Sequence, residues 1–235
     1  MTKTKMVQSK CLNITGILAM LVGFFFLNTA CTNTSTGAEE EEVEIIEDQI
    51  LRLTGAAPGY NEGDLRYTRF ATTDLNAQRM RVRTTVNVSA AGETQQAVAR
   101  GYAQFTARTT QASLFADINW RGTMLSAINL SAKTQMIVRL RVREITPTGG
   151  NGPVLFTETL ESDGIGSGLK ALETLTVNDS VSESYQMNLK KGQQYRVEVE
   201  LECNLRVDII SFSLVDCNAE SSNRGVFVNE LMVMY

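Results

Sequence analysis

Residues able to perform acid–base chemistry are few in this 235-residue sequence, which contains no histidine. Histidine is the commonest general base and metal ligand near neutral pH, so Ser-His-Asp and Cys-His arrangements are excluded. A pair of carboxylates is the remaining catalytic option, as in glycoside hydrolases. The candidates are Asp117, Glu158, Glu161 and Asp163, and their spacing singles out no pair. We therefore expect a protein that is not an enzyme and needs no cofactor, with a carboxylate-dependent glycoside hydrolase as a weaker alternative.

Trp120 is the only tryptophan and stands in the stretch DINWRG. On one interpretation it stacks on a sugar ring while Asp117, Asn119 and Arg121 bind hydroxyl groups, and Tyr102 is a second possible platform. On the other interpretation, which the alternation of the sequence favours, Trp120 continues an apolar strand face and fills the core. Aromatic residues make up 7% of the chain, which is lean for a protein that binds sugars.

A row of arginines, Arg139, Arg141 and Arg143, occupies every second position of one predicted strand and so shares one face. Guanidinium groups in such a row are suited to an anionic partner, for example a sulfated or phosphorylated glycan. A later strand carries three glutamates with the same spacing, namely Glu198, Glu200 and Glu202. If the two strands are neighbours, the rows form a ladder of opposite charges, and we favour this interpretation.

Metal and phosphate sites are not indicated by the remaining polar residues. Four aspartates in or near predicted loops are the candidate calcium ligands, namely Asp163, Asp179, Asp208 and Asp216. They do not form the regularly spaced Asp/Asn loop ending in Glu that binds calcium. Zinc is not expected either, since histidine is absent and two usable thiols are too few. The stretches DGIGSG (163–168) and TPTGGNGPV (146–154) are predicted to be a flexible loop and a turn between strands.

The elements that must position these residues are β-strands. Apolar and polar residues alternate in the segments 80–88, 98–108, 114–120, 136–142, 185–189, 195–203 and 226–234. In the last segment the buried face is predicted to be Val226, Val228, Met232 and Met234. The alternation predicts one all-β domain over residues 49–235, an antiparallel β-sandwich of Ig-like or jelly-roll-like type with about ten strands. The final strand is either an ordinary strand, which we favour, or an edge strand able to pair with a partner.

One stretch, LKKGQQYRVEV (189–199), resembles the L-x-x-G-x-x-Y-x-V-x-V corner of fibronectin type III and related sandwiches. The resemblance implies that Leu189 ends one strand, that Gly192 turns the chain, and that Tyr195 opens the next strand. It also implies that the tyrosine hydroxyl bonds to the backbone near the turn. Because the domain is about twice as long as a fibronectin module, the resemblance extends to the corner and the sandwich class only.

Two cysteines of the body, Cys203 and Cys217, are predicted to form a disulfide. The bridge would close a loop of about 15 residues and stabilise the fold by about 3 kcal/mol in the chain-entropy model. Two buried free thiols are the alternative. A disulfide would require an oxidising compartment.

The first 30 residues predict an export signal, because three lysines precede the apolar stretch 14–27 and small residues follow up to Cys31. The stretch LNTAC resembles the lipobox of bacterial lipoproteins, with Asn28 where that family usually has leucine. The resemblance implies cleavage before Cys31, lipidation of Cys31, and attachment to a membrane in the periplasm or at the cell surface. A plain secretion signal and a retained signal-anchor are the alternatives.

Residues 31–48 are predicted to be a flexible acidic tether, and a short helix is predicted to begin near its end, where Val43, Ile46, Ile50 and Leu53 recur at helical spacing. Three of the 22 bases lie in the leader and seven of the 26 acids in the tether, so residues 49–235 carry 19 of each. This balance argues against a nucleic-acid partner. We expect an exported, lipid-anchored sandwich with a non-catalytic binding or structural role at the cell envelope or surface, where its partner would be an envelope protein or a polysaccharide.

Overall fold

The computed structural model describes residues 45–57, 59–60, 68–86, 93–129, 132–166, 170–207 and 214–235. One compact unit spans Glu44–Tyr235. The predicted signal peptide, the lipidation site Cys31 and the tether up to residue 44 lie outside the described residues. Within the described ranges, no helix is long and apolar enough to cross a bilayer.

The described strands form two antiparallel sheets whose inner faces share one hydrophobic core. The seven-stranded sheet contains β1 (Gln49–Leu51), β4 (Thr68–Asp74), β5 (Arg79–Val86), β7 (Gln111–Asn129), β10 (Lys170–Asn188), β12 (Leu214–Ala219) and β13 (Gly225–Met234). The six-stranded sheet contains β2 (Gly55–Ala56), β3 (Gly59–Tyr60), β6 (Glu93–Thr106), β8 (Ala132–Ile145), β9 (Asn151–Ile165) and β11 (Gln194–Val207). Ten of these strands have six or more residues. The predicted antiparallel β-sandwich is confirmed.

Long strands occupy the middle of each sheet. In the six-stranded sheet β11 lies between β6 and β8, and β9 forms an edge beyond β8. In the other sheet β7 pairs with β10 on one side, while β12 and β13 share its other side. Strand β13 also pairs with β1 and β5. The final strand is therefore an interior strand, and the alternative of an exposed edge was wrong.

The predicted apolar faces fill the core, because alternate side chains of a strand point to the same side of its sheet. The buried residues include three predicted rows: Leu114, Ala116, Ile118 and Trp120 on β7; Met136, Val138, Leu140 and Val142 on β8; and Tyr195, Val197, Val199, Leu201 and Cys203 on β11. These three rows come from both sheets, so the core lies between them.

The second half of β13 departs from the prediction. Val228 pairs with Ile118, whereas Glu230 pairs with Asp117, so one extra residue is inserted between Val228 and Glu230. Such a β-bulge shifts the alternation by one position. Leu231 and Val233 are consequently buried, and the predicted residues Met232 and Met234 are only half-buried.

The helix predicted near residue 50 was also wrong. Gln49–Leu51 form the short strand β1, which pairs with residues 231–233 of β13. Leu51 and Leu53 enter the core, whereas Ile50 is 70% exposed. Alternation across a sheet therefore replaces the helical spacing, since pairing with β13 satisfies the backbone hydrogen-bonding groups of residues 49–51, whereas an isolated helix this short is only marginally stable in water.

Residues 45–48, the end of the predicted tether, lie against the sandwich. Arg108 Nη1 donates a hydrogen bond of 2.8 Å to the carbonyl oxygen of Glu47. The backbone N–H of Tyr235 donates to Asp48 Oδ1 at 3.0 Å. These four residues thus belong to the folded unit rather than to a solvated tether.

The tyrosine corner and the disulfide have the predicted geometry. The hydroxyl of Tyr195 accepts a hydrogen bond of 2.8 Å from the backbone N–H of Lys190, and Gly192 has φ of 83°. Cys203 on β11 is bonded to Cys217 on β12, with a Cα–Cα distance of 5.9 Å. The disulfide therefore links the two sheets.

Two glycine-containing stretches differ in outcome. The turn predicted within residues 146–154 is confirmed between Ile145, the last residue of β8, and Asn151, the first residue of β9. The stretch 163–168 was predicted to be a loop, but β9 continues through Ile165, and residues 167–168 lie outside the described part of the chain.

Candidate functional site

The candidate site is the outer face of the six-stranded sheet, meaning the face that points away from the core. Three adjacent strands, β6, β11 and β8, supply its charged side chains. Among the described residues of these three strands, seven basic and three acidic side chains lie on this face, namely Arg100, Lys133, Arg139, Arg141, Arg143, Arg196, Arg206, Glu198, Glu200 and Glu202. This leaves a surplus of four positive charges, although residues 49–235 as a whole are balanced.

A ladder of ion pairs runs along the middle of this face, as predicted. In register, Glu200 lies opposite Arg139 of β8 on one side and Arg100 of β6 on the other. Arg139 Nη1 lies 2.6 Å from Glu200 Oε1 and also contacts Glu202. Arg100 contacts the second carboxylate oxygen of Glu200.

The ladder continues to the neighbouring glutamate. Glu198 pairs with two arginines of β8, with 3.1 Å between Glu198 Oε1 and Arg143 Nε and 3.6 Å between Glu198 Oε2 and Arg141 Nη1. All three arginines of the predicted row thus contact glutamates of β11.

The glutamates of the ladder are buried although they lie on an outward face. Glu198, Glu200 and Glu202 are 7%, 3% and 5% exposed. The apolar side chains of Val98 and Ile137 lie opposite Glu202 on the two neighbouring strands and are themselves buried. The arginines that pair with these glutamates are themselves only partly exposed, as is usual for long basic side chains whose stems pack on a surface while their charged groups stay near water.

The charge state of Glu200 follows from its contacts. Burial alone would raise the pKa of this carboxyl group. Hydrogen bonds from Arg100 and Arg139 outweigh that effect, and the pKa of Glu200 is lowered from its ordinary value. Burial would lower the pKa of the Arg139 guanidinium, but the hydrogen bonds that it donates to Glu202 and Glu200 outweigh burial and raise its pKa. The central pairs of the ladder are therefore ionised at neutral pH.

Tyr102 and Arg196 lie at the end of the outer face that is nearer to the tyrosine corner. The guanidinium carbon of Arg196 lies 4.4 Å from the centroid of the Tyr102 ring, a cation–π contact. A Cβ atom at Gly55 would come within 2.0 Å of the same ring, so the backbone of Gly55 packs directly on it. Tyr102 therefore does not offer a bare ring to a ligand, and the prediction of a second stacking platform was wrong.

The other end of the outer face contains a hollow, which we call the amide groove. Three side-chain amides, those of Gln96, Asn204 and Gln135, stand at one level on the three adjacent strands. At the next level stand Thr94, Arg206 and Lys133. The hollow has a volume of about 350 Å³, and its other lining residues are Thr134 and Leu205.

The amide groove was missed by the sequence analysis. Its signal was present as polar residues at alternate positions of three strands, but each strand alone looks like an ordinary solvated face. Only the register of β6, β11 and β8 aligns the three amides with one another. Two of them are held in place, because Gln96 Nε2 donates to Glu202 Oε1 at 2.6 Å and Gln135 Nε2 donates to Ser162 Oγ at 2.9 Å.

The predicted sugar-binding cluster around Trp120 does not exist as one site. Trp120 is 2% exposed, and its indole N–H donates a hydrogen bond of 3.0 Å to Glu161 Oε2. The ring fills the core, so the stacking platform was wrong and the core interpretation is confirmed. Asp117, Asn119 and Arg121 alternate with Trp120 along β7 and therefore lie on the opposite face of the seven-stranded sheet.

The carboxylates considered for catalysis lie on two different sheets. Glu158, Glu161 and Asp163 belong to β9, whereas Asp117 lies on β7 and accepts a hydrogen bond of 3.1 Å from Asn229. Glu161 already accepts the indole N–H of Trp120. No catalytic pair is defined by these contacts.

The aspartates considered for calcium are likewise dispersed. Asp216 pairs with Arg83 at 3.1 Å, and Asp179 accepts the backbone N–H of Ser180. Asp208 lies outside the described residues. In the part of the chain that the structure describes, no three potential metal-binding residues come together.

Comparisons with known proteins reveal only distant similarity. No family model matches the sequence, and no curated protein matches it. The family 11 carbohydrate-binding module of Clostridium thermocellum, solved with a mixed-linked β-1,3-1,4 tetrasaccharide, aligns with a TM-score of 0.28 and 8% identity over 80% of this chain and 95% of the module. The enzymatically active domain of tailspike protein 4 of bacteriophage CBA120 aligns with a TM-score of 0.23 and 8% identity over 74% of this chain and 19% of that chain. Similarity of this size carries no functional argument.

Proposed function

We propose that the protein is an exported, lipid-anchored β-sandwich that binds an anionic polymer of the cell envelope or surface without catalysing a reaction. The binding surface is the outer face of the six-stranded sheet. The observation that carries the proposal is the surplus of four positive charges on this face of an otherwise balanced domain. A surface of one sign attracts polymers of the opposite sign and raises their rate of association.

The ion pairs of the ladder pre-organise the arginine side chains of this face for binding. The buried glutamates hold Arg100, Arg139 and Arg143 in defined positions, so these side chains lose little conformational freedom when a ligand arrives. Guanidinium groups match the planar, bidentate geometry of carboxylate and sulfate groups. The ladder and the binding surface are thus compatible, because three carboxylates balance only part of the positive charge.

The entry point of the chain supports the proposal. Residues 45–48 contact Arg108 and Tyr235, at the end of the sandwich where the tyrosine corner lies. The amide groove is at the other end of β11, about 33 Å away, because ten residues separate Tyr195 from Leu205 at roughly 3.3 Å per residue. The described part of the chain therefore enters the sandwich at the end opposite the amide groove.

The charge proposal is tested by retention of the full chain, kept in detergent, on a heparin column eluted with sodium chloride. We expect elution at a salt concentration well above that of the buffer, since contacts with several anionic groups are lost steeply as salt rises. Arg143→Gln combined with Arg196→Gln should elute earlier. Arg121→Gln, an exposed arginine on the opposite sheet, is the matched control and should elute with the wild type. Passage of the wild type through the column without retention would exclude the proposal.

Lipid anchoring is tested separately by mass spectrometry of the mature amino terminus. We expect a lipid-modified cysteine at position 31 and loss of membrane association in Cys31→Ala. A mature chain that begins upstream of residue 31, or an unmodified Cys31, would contradict the anchor while leaving the binding face to be judged by the heparin column.

A further inference from the structure

We propose that the amide groove binds a short segment of an acidic polysaccharide, with sugar hydroxyls on the amides and an acidic group of the sugar on the basic level. This inference rests on the proposed function and names the ligand and its site. It is carried by the two levels of residues that line the hollow, one of amides and one containing Arg206 and Lys133.

The amide level suits hydroxyl groups. A side-chain amide donates and accepts hydrogen bonds at the same time, and so does a sugar hydroxyl. Gln96, Asn204 and Gln135 stand on neighbouring strands, about 4.8 Å apart in the hydrogen-bonding direction. This spacing is comparable with the length of one sugar residue, so successive amides can meet successive sugars of a chain that crosses the strands. A simple inorganic anion has no hydroxyl groups that could donate hydrogen bonds to the amide oxygens.

The basic level makes the groove selective for acidic sugars over neutral ones. Lys133 is exposed beside the amides, and none of the eight lining residues is acidic. Glu202, the nearest glutamate along β11, is already paired with Arg139. A carboxylate or sulfate group in the hollow therefore meets positive charge, and a neutral sugar chain gains only the amide contacts.

The groove is small, and two of its amide side chains are already held in position before a ligand binds. A volume of about 350 Å³ lies at the lower end of the range for small-molecule sites. Hydrogen bonds from Gln96 to Glu202 and from Gln135 to Ser162 fix two amide planes before binding. Ordering costs on binding are correspondingly small. The hollow fits one or two sugar rings, with the rest of the polymer running over the arginines of the ladder.

The test measures binding of three oligosaccharides of equal length to the full chain in detergent by titration calorimetry: an oligogalacturonate, a sulfated oligosaccharide and a neutral oligoglucoside. We expect the acidic oligomers to bind at least tenfold more tightly than the neutral one. The two acidic arms distinguish a carboxylate ligand from a sulfate ligand. Equal binding of the neutral oligomer would overturn the role of the basic level.

Variants locate the site. Lys133→Gln should weaken binding about tenfold, the effect of losing one charge-assisted hydrogen bond, and Asn204→Ala should weaken it several-fold. Lys191→Gln, the same change at an exposed position near the tyrosine corner, is the matched control and should bind like the wild type. Thermal unfolding of each variant shows whether the fold is kept.

Failure of this inference is distinguishable from failure of the proposed function. If the chain is retained by heparin but Lys133→Gln and Asn204→Ala bind all three oligosaccharides like the wild type, the groove is not the site and the charged face still binds polymers. If the wild type neither binds the oligosaccharides nor is retained by heparin, both proposals are wrong.

Discussion

Replacement of Glu200 by glutamine is the most direct test of the ladder. Glu200 is 3% exposed and accepts hydrogen bonds from Arg100 and Arg139. The substitution keeps the size of the side chain but removes its charge, so two charge-assisted hydrogen bonds between partly exposed arginines and a buried carboxylate are weakened at once. Glu183→Gln, an exposed glutamate of β10, is the matched control.

The expected loss of unfolding free energy follows from the burial of Glu200 and of its two arginine partners. Hydrogen bonds to a charged group contribute about 1.5–3 kcal/mol each when desolvated. The side chains of Arg100 and Arg139 are 39% and 25% exposed, so water screens both pairs and about half of that value remains. We expect Glu200→Gln to lower the free energy of unfolding by about 2 kcal/mol. For a domain of this length the melting temperature should fall by about 4–8 °C.

The pH dependence gives the experiment a second readout. Because the pKa of Glu200 is lowered by folding, its contribution to stability is fully present above its ordinary value of 4.5 and is lost as the pH falls through the lowered value. Urea unfolding of the wild type and Glu200→Gln should therefore differ at pH 7 and converge in acid. A difference below 0.5 kcal/mol at pH 7 (a threshold of about the size expected for surface substitutions), or one that does not shrink in acid, would refute the reasoning.

Three further predictions concern other parts of the fold. Joint replacement of Cys203 and Cys217 by alanine should cost about 3 kcal/mol by urea unfolding, and thiol titration of the unfolded, unreduced wild type should leave both of these residues unreacted. Tyr195→Phe removes the hydroxyl that accepts the N–H of Lys190 and should cost about 1 kcal/mol; an unchanged midpoint would show that the corner bond is dispensable. The hydroxyl of Thr134 is buried and has no hydrogen-bond partner among the residues that the structure describes, so Thr134→Val should stabilise the domain by about 1 kcal/mol in thermal unfolding, whereas destabilisation would show that this hydroxyl is hydrogen-bonded in the folded protein.

The local parts of the fold were predictable because they depend on neighbouring residues. The alternation around Trp120 placed this ring in the core, and the spacing of Gly192 and Tyr195 gave the corner. The prediction failed for Met232, where a bulge shifted the alternation. The insertion is set by the way β13 pairs with β7 over its whole length, and no property of the residues near Asn229 alone reveals it.

The candidate site was predictable only in part. The equal spacing of the arginines of β8 and the glutamates of β11 allowed the ladder to be foreseen once the strands were assumed to be neighbours. The amide groove could not be foreseen, because Gln96, Gln135 and Asn204 are far apart in the chain. Their common level depends on the register of three strands, which is fixed by the packing of the opposite, apolar face.

By itself, the sequence determined that this chain forms an antiparallel sandwich and that histidine-based chemistry is excluded. Both follow from residue types and from the two-residue period of a strand, which are properties of the chain at short range. Tertiary structure alone decided which polar residues share a surface. The reason is that strand pairing brings segments that are far apart in the sequence to the same level of a sheet. The register of the paired strands is then fixed by the burial of their apolar side chains in the core.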